Sequence, residues 1–177
     1  MIQLLERSSA ELECPDFGLK LAAKQGGISV LGPLAIAMSN SRTVGEAYRY
    51  CSTHLQVYGS MLGISMESDP QQGRSFMRFE ILLGRVPQQR QTVENALGLT
   101  HLAVLALSGG KFGAREVWFE HPAPTVPSVF AQDYFGCPLN YGKPFNAVFF
   151  ATEDLAQPVV NQNPELYELA SSFIELR

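Results

Sequence analysis

Between Gln88 and Ser108 lies the segment that most restricts what this chain can become. Its apolar residues are Val93, Ala96, Leu97, Leu99, Leu102, Val104, Leu105 and Leu107. At helical spacing they fall almost all the way round rather than on one stripe. A helix without a broad polar face is buried. Val86-Pro87 leads into it and Gly109-Gly110 ends it, because glycine readily takes the left-handed conformation that closes a helix. Such a helix is expected to lie across a sheet.

The sheet is expected from two clusters of alternating residues. Met61–Glu67 and Arg74–Leu83 flank the turn Asp69-Pro70-Gln71-Gln72-Gly73. Leu62, Ile64 and Met66 share one face, as do Met77, Phe79, Ile81 and Leu83, while Phe76, Arg78 and Glu80 take the other. The second cluster begins at Glu116-Val117-Trp118-Phe119-Glu120 and is stopped by His121-Pro122-Ala123-Pro124, since proline cannot donate to a ladder. Val129, Phe130, Tyr134 and Phe135 then sit at near-helical spacing. After Gly136-Cys137-Pro138, the segments Leu139–Tyr141 and Asn146–Phe150 read as a hairpin around Gly142-Lys143-Pro144.

Further helices follow from end signals. Ile2 to Glu13 carries one apolar stripe and stops before Pro15. Asp16 is the expected cap of a helix reaching about Lys24, and Leu31 to Met38 forms a short one with Pro33 in its first turn. Thr43-x-x-Glu46 is a capping box, in which each side chain satisfies the other's backbone N–H. Asn163-Pro164 opens a last helix to about Leu176. Strands and helices do not alternate as β-helix-β units, so a doubly wound parallel sheet is disfavoured. The expected class is α+β: a mainly antiparallel sheet of four or five strands packed against helices, one of them long and buried. The 177 residues fit one domain.

Composition narrows the function. The net charge is −4 and the 13 basic residues are scattered, which argues against a nucleic-acid surface. Cys14, Cys51 and Cys137 form no C-x-x-C pair and no zinc spacing; free thiols in a reducing cytoplasm are expected. The N-terminus lacks the long apolar run of a signal peptide, and no stretch is long enough to span a bilayer. No two of His54, His101 and His121 share metal-binding spacing. No nucleophile–base pair, metal cluster or cofactor loop is legible, so no catalytic residue, metal ligand or cofactor is assigned.

What remains is a choice between a filled core and a pocket. Met38, Met61, Met66 and Met77, with Tyr58, Phe76 and Phe79, either fill a core or line an adaptable apolar pocket. His54 is placed near Tyr58. Trp118 alternates with Val117 and Phe119 and so faces the other way, among acids; it is either a pocket wall or covered by a helix. The candidate ligand-binding residues are His54, Tyr58, Met61, Met77, Phe79 and Trp118.

The order of the second cluster carries a resemblance. Phe119-x-His121-Pro122-x-Pro124 is followed by Tyr134-Phe135-Gly136-Cys137-Pro138-Leu139-x-Tyr141-Gly142-x-Pro144-x-Asn146-Ala147-x-Phe149. Upstream, Asp16-Phe17-Gly18-Leu19, Gly32 and Thr43-Val44-Gly45-Glu46-Ala47 also fit. The chain resembles the N-terminal, "arabinose-binding-like" ligand-sensing region of AraC/XylS-type bacterial transcription regulators. That resemblance implies a single ligand-sensing and dimerisation domain over residues 1–177, a homodimer, and DNA contact only through helix-turn-helix modules missing from this chain. The effector expected from the apolar candidates is a small apolar or amphipathic molecule rather than a sugar. The alternative is a module that only joins two chains and has no pocket.

Overall fold

The computed structural model describes residues 2–55, 62–82 and 89–176. Eight α-helices and a five-stranded sheet occur among them. The long helix is α5, Arg90–Ser108, and Ala106 is its one exposed residue. Two glycines set how closely α5 meets α2, Phe17–Lys24. A Cβ on Gly18 would lie 2.0 Å from the Gln91 carbonyl oxygen, and one on Gly98 would lie 2.7 Å from Leu19 Cδ1. The contact is sealed by polar bonds: Gly18 N–H donates to Gln91 Oε1 (2.7 Å), and Asn95 Nδ2 donates to the Gly18 carbonyl (3.1 Å).

Helix ends mostly follow the expected chemistry. Thr43 Oγ1 accepts the Glu46 N–H at 3.1 Å and opens α4, Val44–His54. The Glu46 carboxylate turns to Arg42 instead (2.8 Å), so half of the reciprocal box forms. Asn163 Oδ1 accepts the N–H groups of Glu165 and Leu166 (2.9 and 3.4 Å) and opens α8, Pro164–Glu175. Asp16 stands at the cap position of α2 but makes no cap bond; its carboxylate lies 3.9 Å from the Arg90 guanidinium. Helix α1, Ile2–Glu11, stops short of Glu13, which adopts φ 48°. A 3₁₀ turn, Gly27–Leu31, precedes α3, Pro33–Ser39.

The sheet contains β1 (Leu62–Asp69), β2 (Arg74–Ile81), β3 (Glu116–Trp118), β4 (Leu139–Asn140) and β5 (Asn146–Ala151). β1 and β2 form the expected hairpin, with Ile64 opposite Phe79 and Met66 opposite Met77. The second hairpin is corrected. β4 and β5 are not neighbours: the order is β1-β2-β5-β3-β4, and β3 lies between them. β3 pairs antiparallel with β5 and parallel with β4. The reason is that residues beyond β4 stay on β3. Gly142 N–H donates to the His121 carbonyl and Lys143 N–H to the Phe119 carbonyl. Pro144 brings no N–H of its own, and the chain crosses over before β5 begins.

Alternation gives the sheet two apolar faces. Met77, Phe79, Val117, Phe119, Val148 and Phe150 face the main core with α4 and α5. Phe76, Ala147 and Phe149 form a smaller cluster behind it, packed with half-buried Trp118 and Phe145. Helix α6, Val129–Phe135, and the short α7, Thr152–Leu155, flank β3 and β5 in the chain.

Candidate functional site

On α5, Thr92, Ala96, Leu99, Thr100 and Ala103 recur at helical spacing and line a cavity of about 180 Å³. The facing wall comes from Met77 and Phe79 on β2, Ile64 on β1, Tyr48 and Cys51 on α4, and Met38 on α3. Leu5, Leu55, Leu62, Asn95 and the 3₁₀ turn residues Gly27, Ile28, Val30 and Leu31 also line it. Among the described residues, no lining side chain carries a charge.

The polar atoms of this wall are largely committed. The Tyr48 hydroxyl donates to the Thr100 carbonyl (2.7 Å), and burial holds its pKa well above the tyrosine range. Thr100 Oγ1 donates to the Ala96 carbonyl (3.0 Å). Asn95 Nδ2 donates to Gln25 Oε1 (2.9 Å) as well as to Gly18. Burial pushes the Cys51 thiol up to about 12, so it stays protonated and apolar in character. The Thr92 hydroxyl is buried and has no hydrogen-bond partner. Such a site can hold an apolar molecule. An ionised group would lose its hydration there and meet no opposite charge.

The expected site residues are not gathered in one place. Met77 and Phe79 sit in the cavity wall. Tyr58 and Met61 lie outside the described residues. His54 lies elsewhere, in a polar groove of about 530 Å³ with Arg42, Glu46, Arg49, Tyr167 and Glu168. Its ring stacks on Tyr50 (4.0 Å between centroids) and its Nδ1 lies 2.9 Å from the Tyr50 carbonyl oxygen. Trp118 is across the sheet from the cavity, against Phe145 and Phe149, with Arg74 and Lys143 over its ring at 5.4 and 4.9 Å. Those side chains half-cover it.

The α5 residues of the wall escaped the sequence reading. Their signal was present as Thr92, Ala96, Thr100 and Ala103, small or hydroxylated residues on one stripe of a helix otherwise rich in leucine and valine.

Beside the cavity, the first turns of α5 hold a buried ionisable group. Glu94 accepts from Arg90 Nε at 2.6 Å, and His121 Nε2 is 3.6 Å from the same oxygen. Burial pushes the Glu94 carboxyl up to about 7 against the opposing pull of Arg90, with Asp16 and Glu6 adding to the rise. The folded state therefore holds this proton more tightly than the unfolded chain, whose value is near 4.5. Stability should fall as pH climbs through that window, by on the order of 2 kcal/mol. Burial lowers the pKa of His101 and His121. Their contribution has the opposite sense, being lost as pH falls below about 6.5. Urea unfolding of wild type and Glu94→Gln at about pH 5 and about pH 8 separates the two effects. The variant should lack the loss at higher pH, and an unchanged profile would remove Glu94 from this role.

The other candidate chemistry is quiet. Burial raises Cys137 to about 11, which disfavours a thiolate. Among the described residues no group of three His, Cys, Asp or Glu side chains is arranged for a metal ion.

The family described as the arabinose-binding domain of AraC transcription regulators, N-terminal, matches residues 1–159. The chain belongs to this family. This regulator domain is 25% identical over 174 residues to the HTH-type transcriptional regulator VirS of Mycobacterium tuberculosis, in strains CDC 1551 / Oshkosh and ATCC 25618 / H37Rv. The match covers 98% of this chain and 51% of VirS. The crystal structure of the transcriptional regulator CdpR from Pseudomonas aeruginosa shares the fold, with a TM-score of 0.74 at 15% identity. That match covers 88% of this chain and 50% of CdpR. The domain thus spans about half the length of these relatives. Both are described as transcriptional regulators. Among the described residues no helix is long and apolar enough to cross a membrane.

The block from Phe119 to Phe149, which carries the resemblance, supplies none of the cavity wall. It braces the regulator domain. Asn146 Oδ1 accepts the Glu120 N–H (2.9 Å) and its Nδ2 donates to the Glu120 carboxylate. The Tyr134 hydroxyl donates to the Gly98 carbonyl of α5 (3.1 Å), and Tyr141 stacks on Phe119 at 5.1 Å.

Proposed function

We propose that this domain senses a small apolar or amphipathic molecule in the cavity between α5 and the sheet. In the intact regulator it passes that event to a DNA-binding portion outside these residues. The observation that carries the reading is the uncharged cavity walled by Met77, Phe79, Thr92 and Tyr48, within a domain of a regulator family. A ligand shifts a regulator only if it binds two arrangements with different affinity. The cavity supports this, because its walls come from four helices, a 3₁₀ turn and two strands, so a ligand touches several elements at once. Met77 and Phe79 are proposed as ligand contacts.

The net charge of −4 and scattered basic residues support DNA contact through another part of the protein, in the cytoplasm. A homodimer is supported by α8, where Leu166, Leu169 and Phe173 are exposed, with Leu176 following. These positions share one helical stripe. The alternative, a joining module without a pocket, draws on the same stripe; the cavity favours sensing.

The test is a thermal melt of the 177-residue chain against a panel of uncharged apolar compounds and a panel of sugars. A binder present at a hundredfold its Kd stabilises by roughly 2.7 kcal/mol, which raises Tm by about 5–10 °C for a domain of this size. Apolar compounds should produce such shifts and sugars should not. No shift from any apolar compound, or shifts from sugars alone, would overturn the proposal.

A further inference from the structure

We propose that Glu94 and His121 form a one-proton switch, which couples the first turns of α5 to the turn that ends β3 and makes the domain itself responsive to pH. The observation is a count of protons against acceptors. His121 Nδ1 lies 3.0 Å from the Pro122 carbonyl oxygen, and its Nε2 lies 3.6 Å from Glu94 Oε1. A carbonyl and a carboxylate only accept, and a neutral imidazole carries one N–H. One of the two contacts therefore lacks a proton unless the site takes up one more. Nε2 is the orphan, being buried without a hydrogen-bond partner. At 3.6 Å the facing atoms stand just outside hydrogen-bond length, and a proton between them closes that gap.

The surroundings decide where the extra proton goes. Glu94 is 5% exposed, and Arg90 Nε donates to its Oε1 at 2.6 Å. That arginine is shared with Asp16, at the start of α2, 3.9 Å away. From α1, Glu6 accepts the Gln91 N–H at 2.7 Å. Tyr141, just past β4, tilts against the His121 ring at 5.6 Å. Burial, with Asp16 and Glu6, favours a neutral Glu94 against the pull of Arg90 and moves it up to about 7. Burial and Arg90 both disfavour an imidazolium at His121. The proton therefore belongs on the Glu94 carboxyl, which donates to Nε2, while Nδ1–H stays on the Pro122 carbonyl.

Losing that proton changes which contact survives. An ionised carboxylate is a stronger acceptor than a backbone carbonyl. The imidazole then carries its one N–H on Nε2, facing Glu94, and the turn gives up its bond at Pro122. Both sides of the switch reach further into the domain. The His121 carbonyl accepts the Gly142 N–H beyond β4. On α5, Thr92, Asn95 and Ala96 flank Glu94 and line the cavity. The switch itself does not depend on what that cavity binds.

Nitrogen NMR of the histidine rings in the 177-residue chain reads the switch directly, because the two neutral tautomers and the imidazolium have distinct shifts. Between about pH 5.5 and about pH 8.5, His121 should pass from the Nδ1–H to the Nε2–H tautomer, with a midpoint of about 7. His101 is the internal comparison. Its Nδ1 accepts the Ala114 N–H at 3.4 Å, so it should keep the Nε2–H tautomer throughout. Glu94→Gln presents an amide N–H to Nε2 at every pH, so His121 should stay in the Nδ1–H form across the range. The wild-type titration decides the matter alone if that variant is unstable. An imidazolium at His121 at about pH 6, one unchanging tautomer in wild type, or a transition that survives Glu94→Gln would overturn the proposal.

Discussion

Alanine at Gly18 should cost this domain more than about 4 kcal/mol and is expected to abolish its cooperative unfolding transition, an effect reserved for a few named mechanisms. The added Cβ would stand 2.0 Å from the Gln91 carbonyl oxygen, 2.8 Å from its carbonyl carbon and 2.9 Å from its Cα. All three are backbone atoms of α5, so no rotamer relieves the overlap and α2 must move away. That movement also breaks the Gly18–Gln91 and Gly18–Asn95 bonds. Gly98→Ala is the internal comparison. Its Cβ meets the tip of Leu19 at 2.7 Å and Ala22 Cβ at 3.0 Å. Leu19 has some freedom to turn, so the expected cost is about 1–3 kcal/mol. Urea unfolding followed by circular dichroism ranks the two. A Gly18→Ala chain within about 1 kcal/mol of wild type would show that the helices do not pack this closely.

The second large effect belongs to Phe150. Its ring is fully buried on β5, which lies between β2 and β3, and stacks on Tyr48 at 5.4 Å. Phe150→Ala should cost about 3–5 kcal/mol, since the transfer loss is joined by the cavity left behind. Tyr48 lines the proposed effector cavity, so the variant should also bind apolar probes less tightly. Val129→Ala is the control: Val129 is 73% exposed and the change should stay within about 0.5 kcal/mol. Parallel urea titrations decide it. A cost for Phe150→Ala below about 1.5 kcal/mol would mean that β5 is not central to the core.

Local chemistry was legible where a residue acts on its own neighbours. Thr43 and Asn163 cap the helices that their spacing announces. The all-round apolar pattern of α5 corresponds to a helix with one exposed residue. Alternation placed Met77 and Phe79 on one face and Phe76 and Trp118 on the other. Partners distant in sequence were harder. Asp16 has the type and position of a cap, yet Arg90 lies beside its carboxylate. The turn at Gly142-Lys143-Pro144 looks like a hairpin until the N–H groups of Gly142 and Lys143 are followed to the carbonyls of His121 and Phe119.

The cavity shows the same limit more sharply. The most recognisable part of the chain, Phe119 to Phe149, braces the fold, while every lining residue comes from Leu5 to Ala103. A void is the space that several elements fail to fill, and periodicity describes one element at a time. Thr92 reads in sequence as one more helical residue. Only the packing reveals that its hydroxyl has no partner.

The most direct measurement is a crystal structure of the 177-residue chain with an uncharged apolar compound that raises its melting temperature. Bound density should lie between α5 and β2, against Met77, Phe79 and Thr92. Density instead in the groove beside His54 or on the outer sheet face beside Trp118, with the space under α5 closed, would contradict the account.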